Sequence, residues 1–130
     1  AYPSFDQFSL INPIIISEII KKFFDKKKIK LKFPNDIFLD GKKVCGILQE
    51  VININSKKFL IIGVGLNTTS NPVLKKKYSS TNIFFESKIK TNSTEIANLL
   101  IKSYEIFFLN IKSFNYSYYK KKNDLMSFNL

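Results

Sequence analysis

The chain has 130 residues, enough for one domain with a buried core, and 45% of them are apolar, which excludes disorder for most of its length. Its 21 basic residues, every one a lysine, outnumber 10 acidic ones for a net charge of +11; with Asn, Ile and Phe plentiful beside them, this is the codon usage of an AT-rich genome, and most of the lysines read as solvated surface rather than a nucleic-acid footprint. One cysteine and no histidine exclude an intramolecular disulfide, a cysteine-rich zinc site and Ser-His or Cys-His nucleophiles, so any chemistry falls to Lys, Asp, Asn and backbone groups.

No apolar run approaches the roughly 18 residues of a membrane span, and no signal-peptide pattern opens the chain, so a soluble, cytoplasmic protein is expected. Ile11, Ile14, Ile15, Ile19, Ile20, Phe23 and Phe24 recur at helical spacing, predicting a helix over residues 8–25. Pro13 fits the first turn of that helix with Asn12 as its cap, unless the helix starts earlier and kinks. Residues 29–32 alternate as a strand that enters a Pro34-Asn35-Asp36 corner. Asp40-Gly41 then supplies the positive φ values of a tight hairpin turn, and a second strand runs from Val44 to about Asn55.

Ser56-Lys57-Lys58 reverses the chain into residues 59–66, apolar on both sides and expected as the central strand. Alternation puts Gly63, Gly65 and Asn67 on one face, a bare strip of backbone with an amide at its end. Either a flat ligand or a closely packed helix can lie on such a strip. Residues 68–81 read as loop, and residues 82–86 as a short apolar segment of open type. Asn92-Ser93-Thr94-Glu95 is a capping box opening a helix over residues 93–111, ordinary core material, and residues 116–122 add a last short helix. Gly41-Lys42-Lys43 is no P-loop: residue 36, where that motif needs its first glycine, is aspartate.

Three motifs carry a resemblance. Lys32-Phe33-Pro34-Asn35-Asp36, then Lys43-Val44-Cys45-Gly46-Ile47-Leu48, then Gly63-Val64-Gly65-Leu66-Asn67 stand in the order and at the spacing of the catalytic domain of biotin protein ligases. The usual family form is Lys-Trp-Pro-Asn-Asp, Lys-Xaa-Xaa-Gly-Ile-Leu and Gly-Xaa-Gly-Xaa-Asn. The resemblance implies an α/β (α+β) fold with a mixed, largely antiparallel sheet flanked by helices, shared with lipoate ligases and, more distantly, class II aminoacyl-tRNA synthetases. It implies ATP-dependent ligation of biotin to a lysine of a biotin carboxyl carrier protein through biotinyl-5′-AMP, with ATP and biotin as substrates and Mg2+ accompanying ATP.

Carried over residue by residue, Lys43 is the catalytic ammonium that bridges the biotin carboxylate and the α-phosphate, and Asp36 receives the acceptor amine. Gly46, Leu48 and Leu66 border biotin, Gly63 and Gly65 form its floor, and Asn35, Asn67 and Lys32 serve the nucleotide. Cys45 takes the place of a small residue and only packs. The family's glycine- and arginine-rich loop has no counterpart here, and the chain reads as the second half of a catalytic domain, a fragment expected to do little alone. An edge at residues 49–55 is a possible pairing surface for a second copy. The competing readings are a lipoate or octanoate ligase and a non-catalytic module of the same fold that binds protein or RNA.

Overall fold

A computed structural model describes residues 2–72 and 79–128. Helix α1 (Phe8–Lys21) leads into a meander of four strands, β1 (Ile29–Lys32), β2 (Asp36–Leu39), β3 (Lys42–Ile54) and β4 (Lys57–Leu66). Among the described residues three α-helices follow, α2 (Ile83–Ser87), α3 (Ser93–Leu109) and α4 (Tyr116–Met126). Each strand pairs antiparallel with the next in the order β1-β2-β3-β4. Among the described residues parallel geometry appears only in the isolated bridges Leu31 to Ser127 and Lys43 to Ser80.

The turns follow from residue type. Asp40 and Gly41 have φ of 47° and 81°, and Asn55 and Ser56 have φ of 50° and 66°, so both long hairpins close through two left-handed residues whose twist suits the flanking strands. The second reversal falls at Asn55-Ser56, with Lys57 and Lys58 already in β4, because asparagine accepts the left-handed region and lysine gains nothing there. Asp40 also fastens the first turn: its N–H donates to the Lys28 carbonyl and its Oδ1 accepts the Lys28 N–H, both at 2.8 Å.

The core lies between α1 and one face of the sheet. Ile14, Ile16 and Ile20 pack on Ile29 and Leu31, Ile37 and Leu39, and Val44, Cys45 and Ile47, with Ile83 closing one end. Pro13 sits in the second turn of α1 rather than its first, and Asn12 is a fully buried interior residue rather than a cap. Proline forfeits one helical hydrogen bond, and the isoleucine-rich face, buried along its length, outweighs that loss. The helix stops at Lys21, where Lys22 and Phe23 turn back to Ile19 and Ile20 in tighter bonds, so Phe23 and Phe24 pack on the core from outside the helix.

Three further expectations are corrected. Strand β4 stands at the end of the described sheet, not in its centre: Leu60, Ile62, Val64 and Leu66 are half-buried, while Phe59 and Ile61 are exposed. Its two-sided apolarity reflects two faces, one of them open, and not two neighbouring strands. In α3 the Asn92 side chain caps the Glu95 N–H at 2.9 Å, but the Glu95 carboxylate takes the Thr91 hydroxyl instead of closing a capping box. Only Ile96 of α3 is buried, because its apolar stripe is wider than α1 and α4 cover, so most of it is not core.

Candidate active site

A bulge sets the site. Asp36 pairs with Gly46 and Ile37 with Cys45, but Phe38 pairs with Lys43, leaving Val44 as an extra residue in β3. Simple alternation would send Lys43 and Gly46, three residues apart, to opposite faces. The extra residue restores them to one face, and an ideal Cβ at Gly46 would lie 3.6 Å from Lys43 Nζ. Lys43 Nζ meets Asp36 Oδ1 at 3.1 Å, the two side chains 24% and 25% exposed, at the head of the Phe33-Pro34-Asn35 turn between β1 and β2. The neighbouring Lys42 goes the other way, to Glu86 at 3.9 Å.

The glycines of β3 and β4 face each other across the ladder, Gly46 opposite Gly65 and Leu48 opposite Gly63. With Pro34, Asn35, Asp36 and Lys43 they line an open cleft of about 570 Å³. A smaller cavity of about 210 Å³ is lined by Lys43, Cys45, Gly46, Gly65, Asn67 and Pro72. The two share Lys43, Gly46 and Gly65, so the ammonium stands at their junction. Asn67 is fixed by its N–H to the Val44 carbonyl at 2.9 Å and its Nδ2 to the Thr81 carbonyl at 3.0 Å. Burial, with the nearby Asp36 charge, pushes the Cys45 thiol up to about 12, so it packs as a neutral group.

Of the residues singled out from the sequence, the structure gathers Asn35, Asp36, Lys43, Gly46, Leu48, Gly63, Gly65 and Asn67 around these two cavities. It does not bring Leu66 there: the side chain points to the opposite face and packs on the core, as the period of two requires for a residue beside Gly65. Lys32 pairs across from Asp36 at the end of β1 and lines neither cavity. Pro72 carried no motif signal, since only its approach through the loop brings it beside Asn67. A cavity of about 530 Å³ between α3 and α4 is lined by Ile15, Phe107, Phe114 and Tyr119 among others, without an ammonium or carboxylate.

Chemically, the cleft offers an anchored ammonium, a partner carboxylate and a floor of bare backbone. That set positions anionic groups and neutralises charge without a covalent intermediate. Among the described residues no group of three or more His, Cys, Asp or Glu comes together to hold a metal, and no helix is long and apolar enough to cross a membrane.

Residues 9–67 match the model of the biotin/lipoate A/B protein ligase family. Over 108 residues the chain is 34% identical to biotin--protein ligase 2 of Arabidopsis thaliana, covering 73% of this chain and 30% of that protein. The apo structure of biotin protein ligase from Aquifex aeolicus superposes with a TM-score of 0.73 at 25% identity, over 95% of this chain and 54% of that one. Biotin protein ligase from Leishmania major in complex with biotin gives 0.78 at 18% identity, over 98% of this chain and 57% of that one. The chain thus spans about half the length of these solved structures and less than a third of the curated relative.

Proposed function

This chain belongs to the biotin/lipoate A/B protein ligase family, and we propose that it carries the lysine-bearing part of the active site of a biotin--protein ligase. One observation supports this most: Lys43 stands where a larger and a smaller cavity meet over a glycine floor. Biotin lies in the larger, against Gly46, Leu48, Gly63 and Gly65, and the nucleotide reaches the smaller, toward Asn67, with Asn35 at the rim.

In the first step a biotin carboxylate oxygen attacks the α-phosphorus of ATP, forming biotinyl-5′-AMP and releasing pyrophosphate. Two anions must approach each other, and Lys43 neutralises both. Its partner changes as it does so: the biotin carboxylate takes the ammonium from Asp36, 3.1 Å away in the structure. Freed, Asp36 accepts the proton of the incoming lysine amine, which attacks the mixed anhydride and expels AMP. Among the described residues the larger cavity is lined by one carboxylate, that of Asp36, which suits Mg2+ arriving on the phosphates of ATP.

The acceptor is a lysine of a biotin carboxyl carrier protein, and the reaction belongs to the cytoplasm, where ATP is at hand. Strand β3 pairs with β2 only as far as Gly46, so among the described residues one edge beyond Ile47 is open and suits pairing with a second copy. The test is biotinyl-adenylate formation by the longest native product containing these residues. Lys43→Ala is expected to lower its rate by at least about a hundredfold while the fold is retained, as loss of one aimed charge-stabilising donor does. Unchanged turnover would overturn the assignment.

A further inference from the structure

Lys43 is gripped from outside the hairpin. Its N–H donates to the Ser79 carbonyl and its own carbonyl accepts the Thr81 N–H, both at 2.9 Å, clasping the backbone at the bulge. Thr81 is 3% exposed, and its hydroxyl donates to Glu86 Oε1 at 2.9 Å. The Glu86 side chain is only 10% exposed and also takes Lys27 at 3.2 Å and Lys42 at 3.9 Å. Lys27 in turn reaches Asp40 of the hairpin turn at 3.3 Å.

A carboxylate so nearly buried is costly unless it is fully partnered, and neither Glu86 nor Thr81 lines either cavity of the cleft. Its partners, however, converge on one place. Through Lys27 and Lys42 Glu86 holds both sides of the Asp40-Gly41 turn, and through Thr81 it holds the segment bridged to Lys43. We propose that Glu86 and Thr81 are positioning residues for Lys43, fixing the bulged backbone so that the ammonium enters the junction of the two cavities. The catalytic half of this proposal rests on the ligase reading above; the mechanical half does not.

Amide hydrogen exchange at Lys43 and kinetics of adenylate formation, with biotin as the probe, test the two halves in the longest native product containing these residues. In Thr81→Val, exchange at the Lys43 amide is expected to rise about tenfold or more with the β3–β4 ladder unchanged, and kcat to fall by a similar factor with KM for biotin within about twofold. Thr81→Ser, which keeps the hydroxyl, restores both. A folded Thr81→Val with normal Lys43 exchange and turnover overturns the proposal, as does failure of serine to rescue. Should Thr81→Val not fold, Glu86→Gln keeps an acceptor and removes the charge; exchange at Lys43 then rises about threefold, and no rise overturns the proposal. If the wild type makes no adenylate while Thr81→Val still frees the Lys43 amide, the ligase reading fails and the clamp stands.

Discussion

At the scale of single residues, the glycines separate into two kinds. Gly41 has a φ of 81°, a conformation that costs a residue with a side chain about 1–2 kcal/mol, so Gly41→Ala should lower the free energy of urea unfolding by roughly that amount. Gly63 and Gly65 are different. An added Cβ would meet its nearest neighbour at 3.7 Å in each case, ordinary contact, and neither residue needs a positive φ. Folding does not require glycine there, and alanine should leave stability unchanged or raise it by up to about 1 kcal/mol, because the unfolded chain loses freedom. What alanine changes is the cleft floor. On the proposed ligase reading each methyl would occupy the floor offered to biotin, so Gly63→Ala and Gly65→Ala should weaken biotin binding by about tenfold, read by calorimetry, even as thermal stability holds. A parallel loss of stability would mean that the glycines serve packing.

Between elements, the least replaceable link is a buried amide. Asn12 of α1, fully buried, donates to Gln49 Oε1 of β3 at 2.8 Å and accepts from the Tyr104 hydroxyl of α3 at 2.6 Å, tying two helices to the strand beneath the cleft. Burial raises the Tyr104 pKa above the ordinary tyrosine range, so the hydroxyl remains the donor. Asn12→Leu would strand both partners and should cost about 1–3 kcal/mol in urea unfolding, while Asn12→Leu combined with Tyr104→Phe should recover part of it. The sequence showed little of this. Periodicity and turn residues disclose α1, strands β1, β3 and β4, both hairpins and the capped start of α3, because those depend on neighbours along the chain; β2, four residues long, is not among them. Asn12 looked like a cap since Pro13 follows it, whereas tertiary burial decided otherwise. The bulge at Val44 was equally hidden: Lys43-Val44-Cys45-Gly46 reads as plain alternation, and only motif spacing placed Lys43 with the glycines. For Leu66 the resemblance and the residues disagree: the family likeness puts it beside the cleft, while the period of two turns it to the core, where it packs.

For the molecule as a whole, a net charge of +11 makes the few carboxylates matter beyond their number. Burial works against ionisation at Glu18 and Glu86, yet hydrogen bonds and attraction from Lys122 and Lys21 at the first, and from Thr81, Lys27 and Lys42 at the second, hold both below the ordinary glutamate range. Asp40 is lowered chiefly by the Lys28 N–H, and Lys27 is raised by Glu86 and Asp40. The signs follow from linkage. A lowered carboxylate binds protons less readily in the folded state, so its contribution is complete above its unfolded pKa and disappears as pH falls through the folded value; a raised lysine contributes below its unfolded pKa and loses that as pH rises through the folded one. Stability should therefore be flat between about pH 5 and pH 8, falling on both sides: above that range the unfolded chain ionises its thiol while the folded Cys45, pushed up to about 12, keeps its proton, and the lysine contribution is lost at higher pH still. Glu86→Gln should shallow the acid limb of Tm against pH, since one linked proton is gone. High salt should leave most of the Glu86 share of that limb, its side chain being 10% exposed, while screening the exposed Lys21–Glu18 pair at 45% and 49%. A Tm that declined steadily from pH 9 to pH 6, or an acid limb identical in Glu86→Gln, would show that this carboxylate does not hold the hairpin and the Thr81 segment together.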